Sequence, residues 1–320
     1  SSWRYLRYDE AIIQVSSSKP GRFSLPESSV SSQASHVTVT GALEHAARLL
    51  ADVGLTSADV NAQWLMTHVL GCRRTELTLK LSDLLSDEEQ ARWDEVVAKR
   101  IQRIPLQHII GTVDFCGIEL DVNEHVLIPR QETELLAEMA WVTATSMNQA
   151  SVLDIGTGSG CLAISIALNA KDSAVHALDI CPKALKVARA NASRHGLKER
   201  ITFHEADMRR PLPLGREWDL IVANPPYVPL GDIKDLEPEV RDHDPHQALD
   251  GGEDGLDYYR SLAGNLLPCL SAEGRLMMEI GEGQASGVAE IIGCSGGRVR
   301  EILPDLNNVE RIVVASAVNS

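Results

Sequence analysis

Apolar residues recur along this chain with two different periods, and the change between them divides it. Between residues 37 and 103 they recur every three to four positions, which is the spacing of one face of an α-helix. From residue 151 onward, short apolar runs alternate with helical stretches, as in a mostly parallel sheet covered by helices. The pattern therefore predicts a small helical bundle followed by a larger, doubly wound α/β domain.

Three helices are predicted in the bundle. The first has one apolar face, made of Ala42, Leu43, Ala46, Ala47, Leu49 and Leu50. The second opens at a capping box over residues 56–59, stops at Gly71 and has an apolar face made of Val60, Trp64, Leu65 and Val69. The third opens at Ser86 and points four side chains inward, namely Trp93, Val96, Val97 and Ile101.

The segment after the bundle changes to the alternation typical of strands. Residues 112–115 and 118–122, with Gly117 at the bend, predict a β-hairpin. Residues 126–134 follow, with Pro129 just before a helix start, and two interpretations stay open. The segment is either a loop that folds over a neighbouring site or an ordinary linker with a helix N-cap at Thr133.

Seven strands are predicted in the second domain, and helices fill the gaps between them. The helix over residues 182–195 is the clearest, because Pro182 suits the first turn of a helix. The predicted strands are residues 152–155, 174–179, 201–204, 220–223, 275–280, 298–303 and 311–315. By contrast, residues 1–36 are Ser-rich and lack any apolar period, which predicts a disordered or loosely attached extension.

A stiff polar loop follows the fourth of these strands. It consists of Asn224, Pro225, Pro226 and Tyr227, and its two prolines end the strand because neither can donate a ladder hydrogen bond. The loop presents an amide, a carbonyl and an aromatic face, which together can grip a flat amide or amino group. These four residues alone favour an ordinary Pro-rich turn, so a functional interpretation depends on what precedes them.

A glycine-rich turn follows the first of these strands. Asp154 lies near the end of that strand, and the turn has the sequence Gly156-Thr157-Gly158-Ser159-Gly160. A dinucleotide fingerprint needs glycine at position 161, where this chain has Cys161. The spacing instead suits a cofactor that carries an amino-acid moiety and a sulfonium.

Acidic residues follow the next two strands. Asp179 ends the second strand, where a carboxylate can accept both hydroxyls of a ribose. Asp207 follows the third, where it can accept from an adenine amino group while Met208 packs on the ring. Because these residues and Asn224 stand at successive strand ends, they point to one site.

Several longer motifs resemble the HemK/PrmC family, the release-factor glutamine N5-methyltransferases. They are Pro105-Leu106-Gln107, the run Leu127-Ile128-Pro129-Arg130-Gln131-Glu132-Thr133-Glu134, and the run Ala248-Leu249-Asp250-Gly251-Gly252-Glu253-Asp254-Gly255-Leu256. Gln131 departs from the family, which usually has a second proline there. The resemblance implies a Rossmann-like class I methyltransferase with a seven-stranded, mostly parallel sheet that uses S-adenosylmethionine.

The resemblance also implies a substrate and a division into domains. The substrate is the glutamine of the Gly-Gly-Gln loop of peptide-chain release factors. Asn224 and Pro225 would accept its amide N–H bonds, Pro226 would keep the loop rigid, and Tyr227 would pack on the amide. Residues 37–104 would be a helical substrate-recognition domain, residues 105–134 a hairpin linker and residues 135–320 the methyltransferase domain.

Charge favours a protein acceptor over a nucleic acid. The net charge is −15, and the sequence has no basic cluster of the kind that phosphate binding needs, so the alternative, methylation of adenine N6, cytosine N4 or guanine N2, is disfavoured. The one exception, which leaves a local basic surface open, is the group Arg189, Arg194, Lys198, Arg200, Arg209 and Arg210. No run is long enough to span a membrane, and the six scattered cysteines predict buried free thiols. We expect a cytoplasmic monomer without a metal, unless the first 36 residues act as an organellar transit segment. The acidic and histidine-rich residues 242–246 are more typical of a solvated turn than of a metal site.

Overall fold

The computed structural model describes residues 37–211 and 217–318. The predicted extension over residues 1–36 lies outside the described residues. The described part begins with helices packed around their own apolar core, which contains Leu50, Leu65 and Trp93. The helices are α1 (Val39–Asp52), α2 (Ala58–Leu70), α3 (Arg74–Leu77), α4 (Asp87–Ile101) and α5 (Leu106–Ile110), with a 3₁₀ turn at Thr78–Lys80.

The three predicted helices correspond to α1, α2 and α4. Of the last two, α4 begins with a side-chain cap and α2 does not. Ser86, where the third helix was predicted to open, makes a capping box, since its hydroxyl accepts from the Glu89 N–H and the Glu89 carboxylate accepts from the Ser86 N–H. The capping box predicted over residues 56–59 was wrong. Ser57 precedes α2 in a left-handed conformation (φ 50°), and its side chain makes no capping hydrogen bond.

The predicted inward position of Trp64 was also wrong. Its side chain is 40% exposed, and the Arg74 guanidinium lies 5.6 Å from the ring centroid. The core face of α2 is made instead of Ala62, Leu65, Met66 and Val69. An indole can pack beneath a cation at the surface as well as in a core, so the helical period alone did not distinguish the two.

A two-stranded hairpin follows the helices. β1 (Thr112–Phe115) pairs antiparallel with β2 (Ile118–Asp121), as predicted. The next helix, α6, spans Gln131–Ser146 and has Arg130 at its N-cap, so the alternative N-cap at Thr133 was wrong. Gln131 therefore stands at the first helical position, where either a proline or a good helix former is accommodated.

All seven predicted strands are present and form one sheet. The order across the sheet is β5-β4-β3-β6-β7-β9-β8. The strands from β3 to β7 pair in parallel, whereas β9 runs antiparallel to both of its neighbours. Their bounds are β3 (Ser151–Ile155), β4 (Ala174–Asp179), β5 (Ile201–Glu205), β6 (Trp218–Ala223), β7 (Leu270–Glu279), β8 (Gly297–Pro304) and β9 (Glu310–Ala317).

Helices cover both faces of the sheet, as the alternating pattern predicts. Successive residues of β3 show this, because Val152 packs in a core with α6 and α7, whereas Leu153 packs in a second core with the last two helices. The helices are α7 (Cys161–Asn169), α8 (Pro182–Arg194), α9 (Pro238–His243), α10 (Asp257–Leu266) and α11 (Ala285–Cys294). Three 3₁₀ turns lie at Ile233–Asp235, His246–Ala248 and Leu267–Cys269.

The strand order reverses between β3 and β6. From β3 the sheet continues through β4 to β5 on one side and through β6 to β7 on the other. A crevice opens at the carboxyl ends of the strands at such a point, which is where open α/β sheets bind their ligands. The glycine turn after β3 and the Asn224 loop after β6 both lie there.

The six cysteines are free, but the prediction that they are buried was wrong in degree. Five are partly buried and Cys294 is exposed. They lie at the ends of elements rather than in their middles, as Cys161 does at the start of α7 and Cys294 at the end of α11. End positions are reached by water more readily than the inward face of a strand.

Candidate active site

One cavity lies at the carboxyl ends of the parallel strands. It is lined by residues predicted from every strand end that the sequence singled out, namely Gly156, Gly158, Asp179, Asp207, Met208, Asn224 and Pro226. The remaining predicted residues, Thr157, Ser159, Gly160, Pro225 and Tyr227, lie in the same loops without lining it. Residues up to 70 positions apart in the chain therefore meet in one cavity, as their positions at strand ends predict.

The glycine turn crosses from β3 to α7 in a conformation that needs its glycines. Gly156, Gly158 and Gly160 all have positive φ, at 71°, 55° and 85°. A Cβ on Gly160 would also lie 3.3 Å from the Cα of Ala188 in α8, a contact tighter than side chains normally make. The N–H groups of Gly156 and Thr157 both donate to the Leu178 carbonyl, which fastens the turn to the end of β4.

Asp179 connects the glycine turn to the next loop. One carboxylate oxygen accepts from the Gly158 N–H and the other from the Cys181 N–H, each at 2.9 Å. Burial raises the pKa of Asp179, although the two N–H groups oppose the shift. Each oxygen has a second lone pair, so the side chain can still accept two hydroxyl groups from a ligand in the cavity.

A second carboxylate, Asp154, lies buried beneath the same turn. Its Oδ2 accepts from the Thr157 hydroxyl at 2.6 Å and from the Ala163 N–H at 3.2 Å. Its Oδ1 has no hydrogen-bond partner among the described residues, and burial raises the pKa of Asp154 to about 7. A buried carboxylate with a free oxygen is best satisfied by a cationic group nearby.

The loop after β5 supplies an acid and a thioether. The Asp207 carboxylate is held by the Arg209 guanidinium through two contacts of 3.0 Å, and these hydrogen bonds lower the pKa of Asp207. Met208 is buried and reaches toward the glycine turn, since its Cε lies 2.8 Å from where a Cβ on Gly156 would be. A flat apolar group in the cavity would therefore meet the Met208 side chain.

Asn224, at the end of β6, is oriented by buried side chains. Its amide Nδ2 donates to the Thr133 hydroxyl at 3.0 Å, and that hydroxyl donates to Glu279 Oε2 at 2.6 Å. The other carboxylate oxygen of Glu279 accepts from the Tyr227 hydroxyl at 3.3 Å. Burial raises the pKa of Glu279 to about 7, and it raises that of the Tyr227 phenol as well.

The segment after Tyr227 is fastened by the run of residues 248–256. The Val228 N–H donates to the Leu249 carbonyl, and the Val228 carbonyl accepts from the Gly251 N–H. Gln284 adds a third tie, because its Nε2 donates to the Tyr227 carbonyl at 2.9 Å. The acidic, glycine-rich motif thus acts on the Asn224 loop through the backbone.

Sequence reasoning missed part of this site. Thr133 and Glu279 belong to it through hydrogen bonds that span 91 and 146 residues, which no local pattern reports. The loop after the hairpin reaches the cavity with His125, Val126 and Leu127, in agreement with the interpretation that it folds over a neighbouring site. Further residues, which include Gln247 and Tyr258, also line the cavity. In that part of the chain the sequence contains only one indication of a functional site, the motif that begins at residue 248.

The residues present suit S-adenosylmethionine. Its ribose has two hydroxyls for Asp179 and its adenine is a flat ring that suits Met208, and both of these residues line the cavity, whereas Asp154 lies beneath the glycine turn and does not line it. The glycines leave the turn free of side chains where a ligand must approach the backbone closely.

No helix of the described residues is both long and apolar enough to cross a membrane.

Comparison with known proteins decides the family. The release factor glutamine methyltransferase of Geobacter sulfurreducens is 39% identical to this chain over 276 residues, which cover 86% of this chain and 95% of that protein. The chain belongs to the release factor glutamine methyltransferase family. The release factor glutamine methyltransferase of Koribacter versatilis is 37% identical to this chain over 278 residues, which cover 87% of this chain and 98% of that protein.

Family models and solved structures add two observations. The model described as PrmC N-terminal domain matches residues 41–111, and the model described as Methyltransferase small domain matches residues 130–236. A solved protein-(glutamine-N5) methyltransferase (release factor-specific) from Alicyclobacillus acidocaldarius is 29% identical, with 60% of this chain and 95% of that chain covered and a TM-score of 0.37. The family resemblance predicted from the sequence motifs is confirmed by the sequence relatives.

Residues 242–246 are not the solvated turn that their acidic and histidine-rich composition predicts, because Asp242 and His243 end α9 and the Asp244 side chain is buried. Asp244 is paired with Arg130, the N-cap of α6, and Asp242 is paired with Arg241. Among residues 37–211 and 217–318, no group of three or more His, Cys, Asp or Glu side chains is arranged to hold a metal ion. Asp244 instead fastens the loop before α6 to the 3₁₀ turn beside the cavity.

Proposed function

We propose that this family member transfers a methyl group from S-adenosylmethionine to the side-chain amide nitrogen, N5, of the glutamine in the Gly-Gly-Gln loop of peptide-chain release factors. One observation carries the proposal beyond the family name. Asn224, an amide that can accept N–H bonds, lines the same cavity as Asp179 and the glycine turn. The site therefore has a place for a methyl donor next to a group suited to a planar amide.

The cofactor would be held by the residues already described. Asp179 would accept the ribose hydroxyls, Met208 would pack on the adenine, and Asp207 would accept from the adenine amino group while it stays paired with Arg209. The turn from Gly156 to Gly160 would face the amino-acid end. When bound, S-adenosylmethionine supplies an electrophilic methyl group carried on a sulfonium.

The chemical difficulty lies with the acceptor. An amide nitrogen is a poor nucleophile because its lone pair is delocalised into the carbonyl. Asn224 Oδ1 and the Pro225 carbonyl would accept its two N–H bonds, hold the nitrogen in one orientation and stabilise the positive charge that develops on it. Once the new C–N bond has formed and the C–S bond has broken, the nitrogen is positively charged and acidic, so it releases one proton to water, and the donor leaves as a neutral thioether. No strongly basic side chain is needed for this.

The rest of the loop would shape the acceptor site. Pro225 and Pro226 are buried at the end of β6 and restrict the backbone, and Tyr227 is held by Glu279 on one side and Gln284 on the other. In this proposal the Tyr227 ring packs against the glutamine amide. The helical region over residues 37–104 would recognise the body of the release factor, outside the cavity.

We infer a single chain that acts in the cytoplasm. The six free cysteines suit a reducing compartment, which is also where release factors meet ribosomes. Light scattering of the purified protein should give the mass of one chain.

The experiment that tests the reaction uses three acceptors and labelled S-adenosylmethionine. They are a release factor, the same factor with its loop glutamine replaced by alanine, and duplex DNA. We expect label on the first acceptor alone. Label on DNA would show that the site accepts a nucleobase amino group, and label on the alanine-substituted factor would show that another side chain is the acceptor.

A further inference from the structure

We propose that Thr133 and Glu279 are positioning residues that determine which side of the Asn224 amide faces the acceptor nitrogen. The inference rests on the function proposed above, because it assigns Asn224 Oδ1 to the acceptor. Neither residue lines the cavity. They act through Asn224, from the first turn of α6 and from the last residue of β7.

The three side chains form one buried row of hydrogen bonds. Thr133 is 2% exposed and Glu279 is 1% exposed. The Thr133 hydroxyl lies 2.6 Å from Glu279 Oε2 and 3.0 Å from Asn224 Nδ2. Thr133 therefore stands between a carboxylate and an amide, with no other partner required for its oxygen.

The direction of these hydrogen bonds follows from the carboxylate. An ionised carboxylate only accepts, so the single hydrogen of the Thr133 hydroxyl must point to Glu279. The Thr133 oxygen can then only accept, so it must face an N–H donor. That requirement selects Nδ2 of Asn224 and turns Oδ1 the other way. A flipped amide would place two acceptor oxygens together and lose the hydrogen bond.

This selection matters because an amide is nearly symmetric in shape. The oxygen and the NH₂ group of Asn have similar size, so packing alone does not determine which of them faces the cavity. The two orientations have opposite chemistry, since only the oxygen can accept the N–H of a substrate amide. The Pro225 and Pro226 backbone stiffens the loop but leaves this rotation about the Asn224 side chain open.

Glu279 holds the other end of the loop as well. Its Oε1 accepts from the Tyr227 hydroxyl at 3.3 Å, and its Oε2 accepts from Thr133, which in turn accepts from Asn224. One carboxylate therefore supports both ends of the loop from Asn224 to Tyr227. Tyr259 from α10 donates to the Glu279 backbone carbonyl at 2.9 Å, which keeps the end of β7 in place. The amide and the aromatic ring of the acceptor site thus share one support.

Protonation of Glu279 would remove the selection. A neutral carboxyl group can donate to the Thr133 oxygen, which frees the Thr133 hydrogen to point at Oδ1 of a flipped Asn224. Burial raises the pKa of Glu279 to about 7, and the nearby Glu132 adds to the shift, whereas hydrogen bonds from Thr133 and Tyr227 and the charge of Arg311 oppose it. Turnover should therefore fall as the pH drops through this region.

The first test compares Thr133→Val, Thr133→Ser and Thr145→Val. Valine keeps the shape of Thr133 without its hydroxyl, serine restores the hydroxyl, and Thr145 is a threonine of the same helix, α6, whose hydroxyl donates to the Trp141 carbonyl. With a release factor as acceptor, we expect Thr133→Val to lower kcat about tenfold or more and to change KM less than about threefold. Thr133→Ser should recover most of the loss, and Thr145→Val should match the wild type in kcat.

The second test uses the pH dependence of kcat in the wild type and in Glu279→Gln. The wild type should show an acid limb near pH 7, and the variant, which has no proton to gain there, should lack it. This measurement decides the question even if Thr133→Val proves unstable to heat.

Three results would overturn the inference: kcat of Thr133→Val within about twofold of the wild type, equal losses in the Val and Ser variants, or an unchanged acid limb in Glu279→Gln. A wild-type protein that fails to label the release factor is a different outcome. It would count against the proposed reaction, which is measured first, and not against the hydrogen-bond arrangement.

Discussion

Single polar atoms with directional partners decide what the cavity can bind. Asn224 is the clearest case, because it lines the cavity and its Nδ2 donates to the Thr133 hydroxyl. We expect Asn224→Ala to lower kcat about 100-fold, by analogy with the loss of one group that stabilises charge in a transition state. The dissociation constant of S-adenosylmethionine should change less than about threefold, since Asn224 is assigned to the acceptor.

The matched control for this variant is Asn169→Ala, at the exposed end of α7. It should leave both kcat and cofactor affinity at wild-type values. Initial rates with labelled cofactor and calorimetric titration give the two quantities separately. Equal turnover in Asn224→Ala and the wild type would show that the amide has no part in the reaction.

Asp179 provides a prediction on the cofactor side. In Asp179→Asn one acceptor oxygen becomes an NH₂ group, which must then face the N–H of either Gly158 or Cys181. Loss of a hydrogen bond to a charged group should weaken S-adenosylmethionine binding about tenfold or more, as measured by calorimetry. Asp172→Asn, at an exposed turn before β4, should bind as the wild type does. An unchanged dissociation constant in Asp179→Asn would remove this residue from the cofactor site.

At the scale of elements, the run of residues 248–256 supports the Asn224 loop through its backbone. A Cβ on Gly251 would lie 2.8 Å from the Cα atoms of both Tyr227 and Gly255, and backbone cannot move aside as a flexible side chain can. Gly251→Ala should therefore displace the loop and lower kcat about tenfold or more, with a smaller effect on cofactor affinity.

Gly264→Ala is the control, because nothing lies within 4 Å of its Cβ position in α10. Alanine is favoured over glycine inside a helix, so this variant should keep its activity and gain about 0.5 kcal/mol of stability. Thermal unfolding and initial rates measure the two effects. Wild-type turnover in Gly251→Ala would contradict the close backbone packing.

For the molecule as a whole, a buried group of charges joins the N-terminal helices to the rest. Glu239 in α9 accepts from Arg103 through contacts of 2.8 and 2.7 Å and lies 2.9 Å from Arg100, whose side chain is 7% exposed. Removal of one partner leaves the buried cations without their counter-charge. We expect Glu239→Gln to lower the free energy of unfolding by about 3 kcal/mol in urea titrations.

Glu237→Gln serves as the comparison, since this side chain also pairs with Arg103 but is 78% exposed. Glu237→Gln should lower the free energy of unfolding by about 1 kcal/mol or less. Burial opposes the ionisation of Glu239, but the hydrogen bonds from Arg103 and Arg100 outweigh it and hold its pKa below the usual value. The stability from this group is therefore present above the ordinary glutamate pKa and is lost as the pH falls through the lowered value. Equal losses of unfolding free energy in Glu239→Gln and Glu237→Gln would show that burial does not strengthen the interaction of Glu239 with its arginines.

The charge distribution agrees with a protein acceptor. Several arginines of the stretch from 189 to 210, the most basic part of the sequence, are already engaged. Arg194 pairs with Glu119 and Asp121, Arg209 pairs with Asp207, and Arg189 lies over the Phe203 ring. Cations that neighbouring carboxylates neutralise, as Arg194 and Arg209 are here, attract phosphates weakly, and this supports the acidic net charge as an argument against nucleic acid.

The sequence by itself determined the elements and the strand-end residues. The seven strands are short apolar runs, and the glycine turn, Asp179 and Asn224 each follow such a run directly, so local patterns were sufficient to find them. Parallel strands place their carboxyl ends at one edge, which is why residues far apart in the chain could be assigned to one site in advance. Single-residue burial was less certain, as Trp64 shows, because an amphipathic ring suits either environment.

Only the tertiary structure decided how those residues are oriented. The order of the strands depends on which of them meet in space. The partnership of Arg103 with Glu239 and the row from Asn224 through Thr133 to Glu279 depend on contacts between residues more than 90 positions apart. No periodicity contains that information, because a hydrogen bond depends on where two side chains meet and not on their spacing in the chain. The sequence thus placed an amide at the strand end, and the fold determined that its NH₂ group donates to the Thr133 hydroxyl.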